Sequence, residues 1–129
     1  MAATEKYSQI KSEITFDFKQ RVLRVIEKHR GKNNRVTKEE IARALFLPYS
    51  NNKNDKTDRQ IRMAVNELRK DGYLILSDSS GAGYWYAEDY QEVFDAVAEL
   101  ESRSYDLLEQ AKILRITATR EFSPQLELL

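Results

Sequence analysis

The segment that most restricts the fold is residues 88–117. Val93, Val97, Leu100, Ser104, Leu107, Ala111 and Leu114 recur there at spacings of 4, 3, 4, 3, 4 and 3, the repeat that keeps one side of a helix apolar over successive turns. Glu88-Asp89 opens the segment with the acidic residues that favour a helix N-terminus. A helix of about 29 residues is roughly 43 Å long. The upstream part of this 129-residue chain is a domain of only about 75 residues, too small to cover such a length on one side. The sequence therefore predicts a small domain followed by a long helix with an apolar seam.

That seam needs a partner. The simplest is a second copy, meeting it through Val93, Val97, Leu100, Leu107, Ala111 and Leu114, with Ser104 interrupting the row and Phe94 and Leu108 broadening it. The alternative is a break near Ser102-Arg103-Ser104, folding the second half back on the first helix.

Upstream, the chain is punctuated. Residues 1–15 read as a polar N-terminal arm. Phe16, Val22, Leu23, Val25 and Ile26 give residues 16–30 the apolar side of a helix, and Gly31 stands where a C-cap glycine belongs. Thr37-Lys38-Glu39-Glu40 is a capping box opening a short helix that turns Ile41, Ala42 and Leu45 inward. Pro48 marks its end. Residues 49–56 form a polar loop, and Thr57 with Gln60 repeats the capping-box pattern before a helix that runs to Lys70 and stops at Asp71-Gly72. Two β-rich runs, Tyr73–Ser77 and Tyr84–Ala87, surround Asp78-Ser79-Ser80-Gly81-Ala82-Gly83 and read as a hairpin. The expected organisation is an arm (1–15), a mostly helical domain with one hairpin (16–88), a long dimerisation helix (89–117) and a tail (118–129).

The net charge is zero, from 21 Lys+Arg against 21 Asp+Glu, and it conceals a split. Residues 15–87 hold 15 basic and 9 acidic side chains, and residues 88–129 hold 4 and 10. Such asymmetry suggests that the first part faces a polyanion.

The third helix gives that excess a direction. At 100° per residue, Ile61, Ala64, Val65 and Leu68 fall on one side, and Arg59, Arg62, Met63, Asn66, Arg69 and Lys70 on the other. Guanidinium and amide groups read base edges and phosphates. A short helix, a connection, an amphipathic helix with a basic free face and then a hairpin is the order of a winged helix-turn-helix. The stretch Ile61-Arg62-Met63-Ala64-Val65-Asn66-Glu67-Leu68-Arg69-Lys70-Asp71-Gly72-Tyr73 resembles the recognition helix of winged-helix bacterial and phage DNA-binding proteins. Gly83-Tyr84-Trp85-Tyr86 resembles the second wing strand of that family. The resemblance covers residues 16–90. It implies a winged helix-turn-helix over those residues; with the long C-terminal helix read above, the expected fold is mostly α with a small β-hairpin, a winged helix-turn-helix followed by a long C-terminal helix. It also implies sequence-specific binding of double-stranded DNA, as a transcriptional regulator or phage replication accessory, and the seam of the long helix makes the expected binding unit a small homodimer.

On that reading Arg59, Arg62, Asn66, Arg69 and Lys70 contact DNA. Arg35 and Lys38, at the start of the second helix, and Arg43 position the backbone, and the loop contacts DNA through Lys53 and Lys56. Two features depart from the family pattern. The connection Leu47–Lys56 is longer than the usual three- or four-residue turn, and the wing tip carries no Lys or Arg. The bare wing tip and the acidic long helix fit a second expectation: a winged-helix adaptor or inhibitor that binds a partner protein through the apolar seam and the tail.

Other chemistries find little support. No cysteine is present, which excludes disulfides and thiolate catalysis. His29 is the only histidine, so neither a zinc site nor a histidine-based catalytic group is expected, and no cofactor or enzyme activity is expected. No apolar run is long enough for a signal core or membrane span, and a cytoplasmic location without membrane contact is the expectation.

Overall fold

A computed structural model describes residues 14–50, 52 and 55–126, with side chains to residue 122. Lys53, most of the expected arm and residues 127–129 of the tail lie outside the described residues. The element order is α1 (Phe16–Glu27), a 3-10 turn (Lys32–Asn34), α2 (Lys38–Ala44), α3 (Lys56–Lys70), β1 (Ile75–Leu76), β2 (Trp85–Tyr86) and α4 (Tyr90–Leu126). The fold is mostly helical, with one small antiparallel sheet. The chain divides into two compact units, Met1–Phe94 and Asp95–Leu129.

In the first unit, α1 contributes Val22, Leu23 and Ile26 to the core, α2 contributes Ile41, Ala42 and Leu45, and α3 contributes Ile61, Ala64, Val65 and Leu68. Val36 and Ile75 complete the cluster. Each large aliphatic side chain removed from water contributes about 1.5–3 kcal/mol, so the three helices are held by their apolar stripes. The inward residues expected for α2 and α3 are all buried.

The helix ends separate what local chemistry decides from what packing decides. Thr37 and Glu40 form the expected capping box, with Glu40 N–H donating to Thr37 Oγ1 at 3.1 Å and Thr37 N–H donating to Glu40 Oε1 at 3.2 Å. The Thr37 hydrogen bonds hold the Glu40 carboxyl below its ordinary pKa. The box expected at Thr57 and Gln60 does not open α3. Asp55 is the N-cap, accepting from Asp58 N–H at 2.9 Å, and Thr57 lies buried in the first turn. Likewise α1 stops at Glu27 rather than residue 30, with Lys28 as its C-cap. Gly31, expected as the C-cap glycine, instead sits at φ 90° and donates its N–H to Tyr86 O at 3.0 Å.

α2 ends at Ala44, before Pro48 is reached. Leu47 N–H donates to Ala42 O at 2.9 Å and Phe46 N–H to Arg43 O at 3.1 Å, the two bonds of a Schellman motif. Its left-handed position, usually glycine, is Phe46 at φ 58°, a residue 92% exposed.

The hairpin pairs Ile75 with Tyr86 and Leu76 with Trp85. The connection between α1 and α2 lies along the other edge of β2. Val36 and Tyr84 each donate an N–H to the other's carbonyl at 2.8 Å, and Tyr86 N–H donates to His29 O at 2.8 Å. Gly83 makes this approach possible. Its φ is 136°, and a Cβ there would stand 2.2 Å from Val36 O.

Asp89 accepts from Glu92 N–H at 3.0 Å at the start of α4, and Glu92 in turn accepts from Glu88 N–H and Lys32 N–H, both at 2.8 Å. In the second unit the helix is continuous through Ser102–Ser104, so the alternative break does not occur. It passes Thr117, the expected end, and reaches Leu126. Thr119 tolerates the helix by donating its hydroxyl to Arg115 O at 3.0 Å. Every residue from Leu100 to Phe122 is exposed.

Candidate functional site

The outer face of α3 is the candidate site. The helix buries Ile61, Ala64, Val65 and Leu68 and leaves Arg62, Asn66 and Lys70 exposed, with Arg59, Met63 and Arg69 half-buried at the margins. These are the two sides of the wheel drawn from sequence, and α3 holds them in place because its inner stripe is locked between α1 and α2.

A buried carboxylate organises the N-terminal end of this face. Asp58, 5% exposed, accepts from Tyr49 Oη at 3.0 Å, pairs through Oδ1 with Lys38 Nζ at 2.8 Å and through Oδ2 with Arg62 Nε at 2.8 Å. Burial alone would raise its pKa. The hydrogen bonds from Lys38 and Tyr49, with the positive charges of Lys38 and Arg62, outweigh burial and leave it lowered. Tyr49 answers in the opposite sense: burial and its bond to Asp58 push the phenol up to about 12. One carboxylate thereby ties the start of α2, the long connection and the first turns of α3. A guanidinium has five N–H donors, and the bond from Arg62 Nε to Asp58 fixes its plane while the side chain stays 47% exposed.

The C-terminal end of the face is tied to the hairpin. Arg69 donates from Nε to Ile75 O at 2.7 Å and from Nη2 to Ser77 Oγ at 3.0 Å. Lys70 lies 3.9 Å from Glu67, an exposed pair of little energetic weight. Asn66 lies between these ends, exposed on the same side.

The remaining sequence candidates are dispersed. Arg35 pairs with Asp78 at 3.2 Å, donates to Lys32 O and sits 5.4 Å over the Trp85 ring. It therefore braces the hairpin against the α1–α2 connection. Asp78, also 3.6 Å from Lys32, is lowered in pKa first by its hydrogen bond from the Ser80 hydroxyl. Lys38 lies at the Asp58 end of the α3 face, and Lys56 is exposed at the first position of α3. Arg43 pairs with Glu39 at 3.7 Å on the surface of α2.

Sequence reasoning missed Asp58 and Asp78, the acceptors that orient three of the candidate cations. Asp55-x-x-Asp58 was visible as a helix-start pattern, but the approach of Tyr49 and Lys38 depends on the tertiary path of the connection. Trp85 is buried, its Nε1 lacks a hydrogen-bond partner among the described residues, and Tyr84 and Tyr86 pack partly against the core. The three aromatics thus do not form one exposed stacking surface. His29 presents Nδ1 to Asn34 O at 2.9 Å.

Among the described residues no group of three or more His, Cys, Asp or Glu is placed to hold a metal ion, and no helix is long and apolar enough to cross a membrane. No protein-family model, curated protein or solved structure matches the chain.

Proposed function

We propose that the chain is a winged-helix protein that binds double-stranded DNA as a homodimer, with α3 as the helix that enters the major groove. The observation that carries this reading is the outer face of α3, where Arg62, Asn66 and Lys70 stand exposed on a helix whose opposite face is fully buried. Arg62 and Asn66 lie four residues apart, one helical turn, so both reach the same groove. An arginine presents paired donors to guanine and an asparagine a donor and acceptor to adenine.

The element order supports the same reading. Three helices, a strand-like segment between the first two and a hairpin after the third match the winged arrangement, with Val36 bridged to Tyr84 as the third strand would be. The Asp58 carboxylate then has a mechanistic role. It holds the Arg62 side chain before DNA arrives, which reduces the entropy lost on binding. Arg69, fastened to Ile75 and Ser77, sets the hairpin beside the C-terminal end of the helix. The hairpin tip has no cation and would reach phosphate through Ser79, Ser80 and backbone N–H groups.

Fluorescence anisotropy with a labelled duplex pool tests the proposal. Binding should be strong at low salt and weaken steeply as salt rises, because contacts to phosphate release counterions. Arg62→Ala should weaken binding by about 5- to 150-fold, the effect of losing about 1–3 kcal/mol of base contact. No binding to any duplex at low salt would overturn the reading.

One observation favours a second reading. Arg35, Lys38 and Arg62 have carboxylate partners within the fold, and the row of apolar side chains on α4 is exposed. A protein-binding adaptor would show this combination. It would leave duplex anisotropy unchanged and would be monomeric in sedimentation.

A further inference from the structure

The apolar stripe of α4 carries more information than its existence. It consists of two rows with different side-chain sizes. Val97, Ser104, Ala111 and Ala118 form one row, mostly small, and Leu100, Leu107 and Leu114 form the other, all large. These residues are all exposed, so the stripe is uncovered along the helix.

The size difference distinguishes the ways in which two such helices can meet. In a parallel, in-register pair, each row faces its own copy. Ser104 then meets Ser104, Ala111 meets Ala111 and Ala118 meets Ala118, alternating with layers of paired leucines. Three layers would be underfilled, and voids forfeit contact energy. In an antiparallel pair the rows exchange partners. Placing Ala111 opposite Leu107 of the second copy also places Ser104 opposite Leu114 and Ala118 opposite Leu100. Every one of these layers then joins one small and one large side chain, which lets the layers interdigitate.

Charge gives an independent reason for the same register. Between residues 95 and 109, α4 carries Asp95, Glu99, Glu101, Asp106 and Glu109 against Arg103 alone, whereas residues 110–120 carry Lys112, Arg115 and Arg120 and no acid. Antiparallel pairing lays the acidic half of each helix along the basic half of the other. Glu101 and Arg115 each follow a leucine of the large row and so lie on the same flank of the stripe. In the register above, Glu101 of each copy falls beside Arg115 of the other, twice by symmetry. A parallel pair offers nothing comparable, since Arg103 then faces Leu108.

We infer that α4 pairs antiparallel with α4 of a second copy, with Ala111 of each helix against Leu107 of the other. This rests on the homodimer reading proposed above and adds its geometry. The two chains enter the paired helices at opposite ends.

The chain contains no cysteine, so single cysteines report orientation directly. Gln110→Cys lies on the flank that meets its own copy only in the antiparallel pair, and Ala118→Cys lies in the row that meets its own copy in the parallel pair but stands about 27 Å from it, 18 residues along the helix, in the antiparallel register. Treatment of the full chain with a short bis-maleimide should link the Gln110→Cys dimer and leave Ala118→Cys unlinked. Glu101→Arg should weaken the dimer roughly tenfold, as two attractive contacts become repulsive, and adding Arg115→Glu should restore it. Linking at Ala118→Cys alone, or a dimer linked at neither position, overturns the antiparallel register while leaving dimerisation intact. A wild-type chain that sediments as a monomer overturns the dimer and this inference together. Duplex anisotropy on the same sample reports separately on DNA binding.

Discussion

Gly83→Ala should detach the hairpin from the α1–α2 connection. The new Cβ would lie 2.2 Å from Val36 O and 2.8 Å from Val36 C. These are backbone atoms with no rotamer to change, so the two segments must separate. Separation breaks the reciprocal Val36–Tyr84 pair, two hydrogen bonds of 2.8 Å, each contributing about 0.5–1.5 kcal/mol. Gly83 also has φ 136°, a conformation that disfavours an alanine by about 1–2 kcal/mol. The total is a loss of about 2–5 kcal/mol. Trp85, the only tryptophan, is buried two residues away, so its fluorescence during urea unfolding follows the first unit without contribution from the long helix. At an m-value of about 1.5 kcal/mol/M the midpoint should fall by roughly 1–3 M. Gly81→Ala is the control. Its φ is 68° but nothing lies within 4 Å of its Cβ position, so it should lose only about 1 kcal/mol. Equal effects from the two substitutions would refute the close-approach argument and leave backbone conformation as the whole cause.

Three further outcomes are expected. Asp58→Asn should destabilise the first unit by about 1–3 kcal/mol, because Lys38 and Arg62 lose their charged acceptor. The Asp58 pKa is lowered in the fold from 3.8, so its contribution is present above that value and is lost as pH falls through the lowered one; acid unfolding curves should therefore show a shallower loss for the variant than for the wild type. Phe46→Gly should stabilise by about 0.5–1 kcal/mol in the same urea assay, since the left-handed position at φ 58° suits glycine and the exposed ring contributes little packing. Arg69→Ala should lower stability by about 1–3 kcal/mol by removing the bonds to Ile75 and Ser77, whereas Arg62→Ala should cost less than about 1 kcal/mol because Asp58 keeps Lys38 and Tyr49.

Where local chemistry and packing agree, the sequence was readable. The Thr37–Glu40 box, the two sides of α3, its stop at Asp71-Gly72 and the hairpin pairing all follow from short-range patterns. At the start of α3, Asp55 and Thr57 are both competent caps, and the burial of Thr57 decides between them. Gly31 had the spacing of a C-cap, yet its backbone is used against β2, a contact 55 residues distant in the chain. The candidate face of α3 was visible as a set of residues, but its wiring was not. That Asp58 would gather Tyr49, Lys38 and Arg62, and that Arg69 would hold the hairpin, depends on how three elements converge. The end of α4 is less legible, because Thr117 and Thr119 have weak helix propensity, which the back-bond from Thr119 to Arg115 helps accommodate.

The central claim, that α3 is the surface that meets DNA, is tested most directly by amide chemical shifts. A duplex selected from a random pool for binding to the full chain is titrated into labelled protein and followed by two-dimensional NMR. The account predicts saturable shifts concentrated on residues 56–70 and the hairpin tip at 78–83, with the apolar face of α4 between residues 97 and 118 unaffected. Shifts confined to α4, or no duplex recovered from the pool, would contradict it.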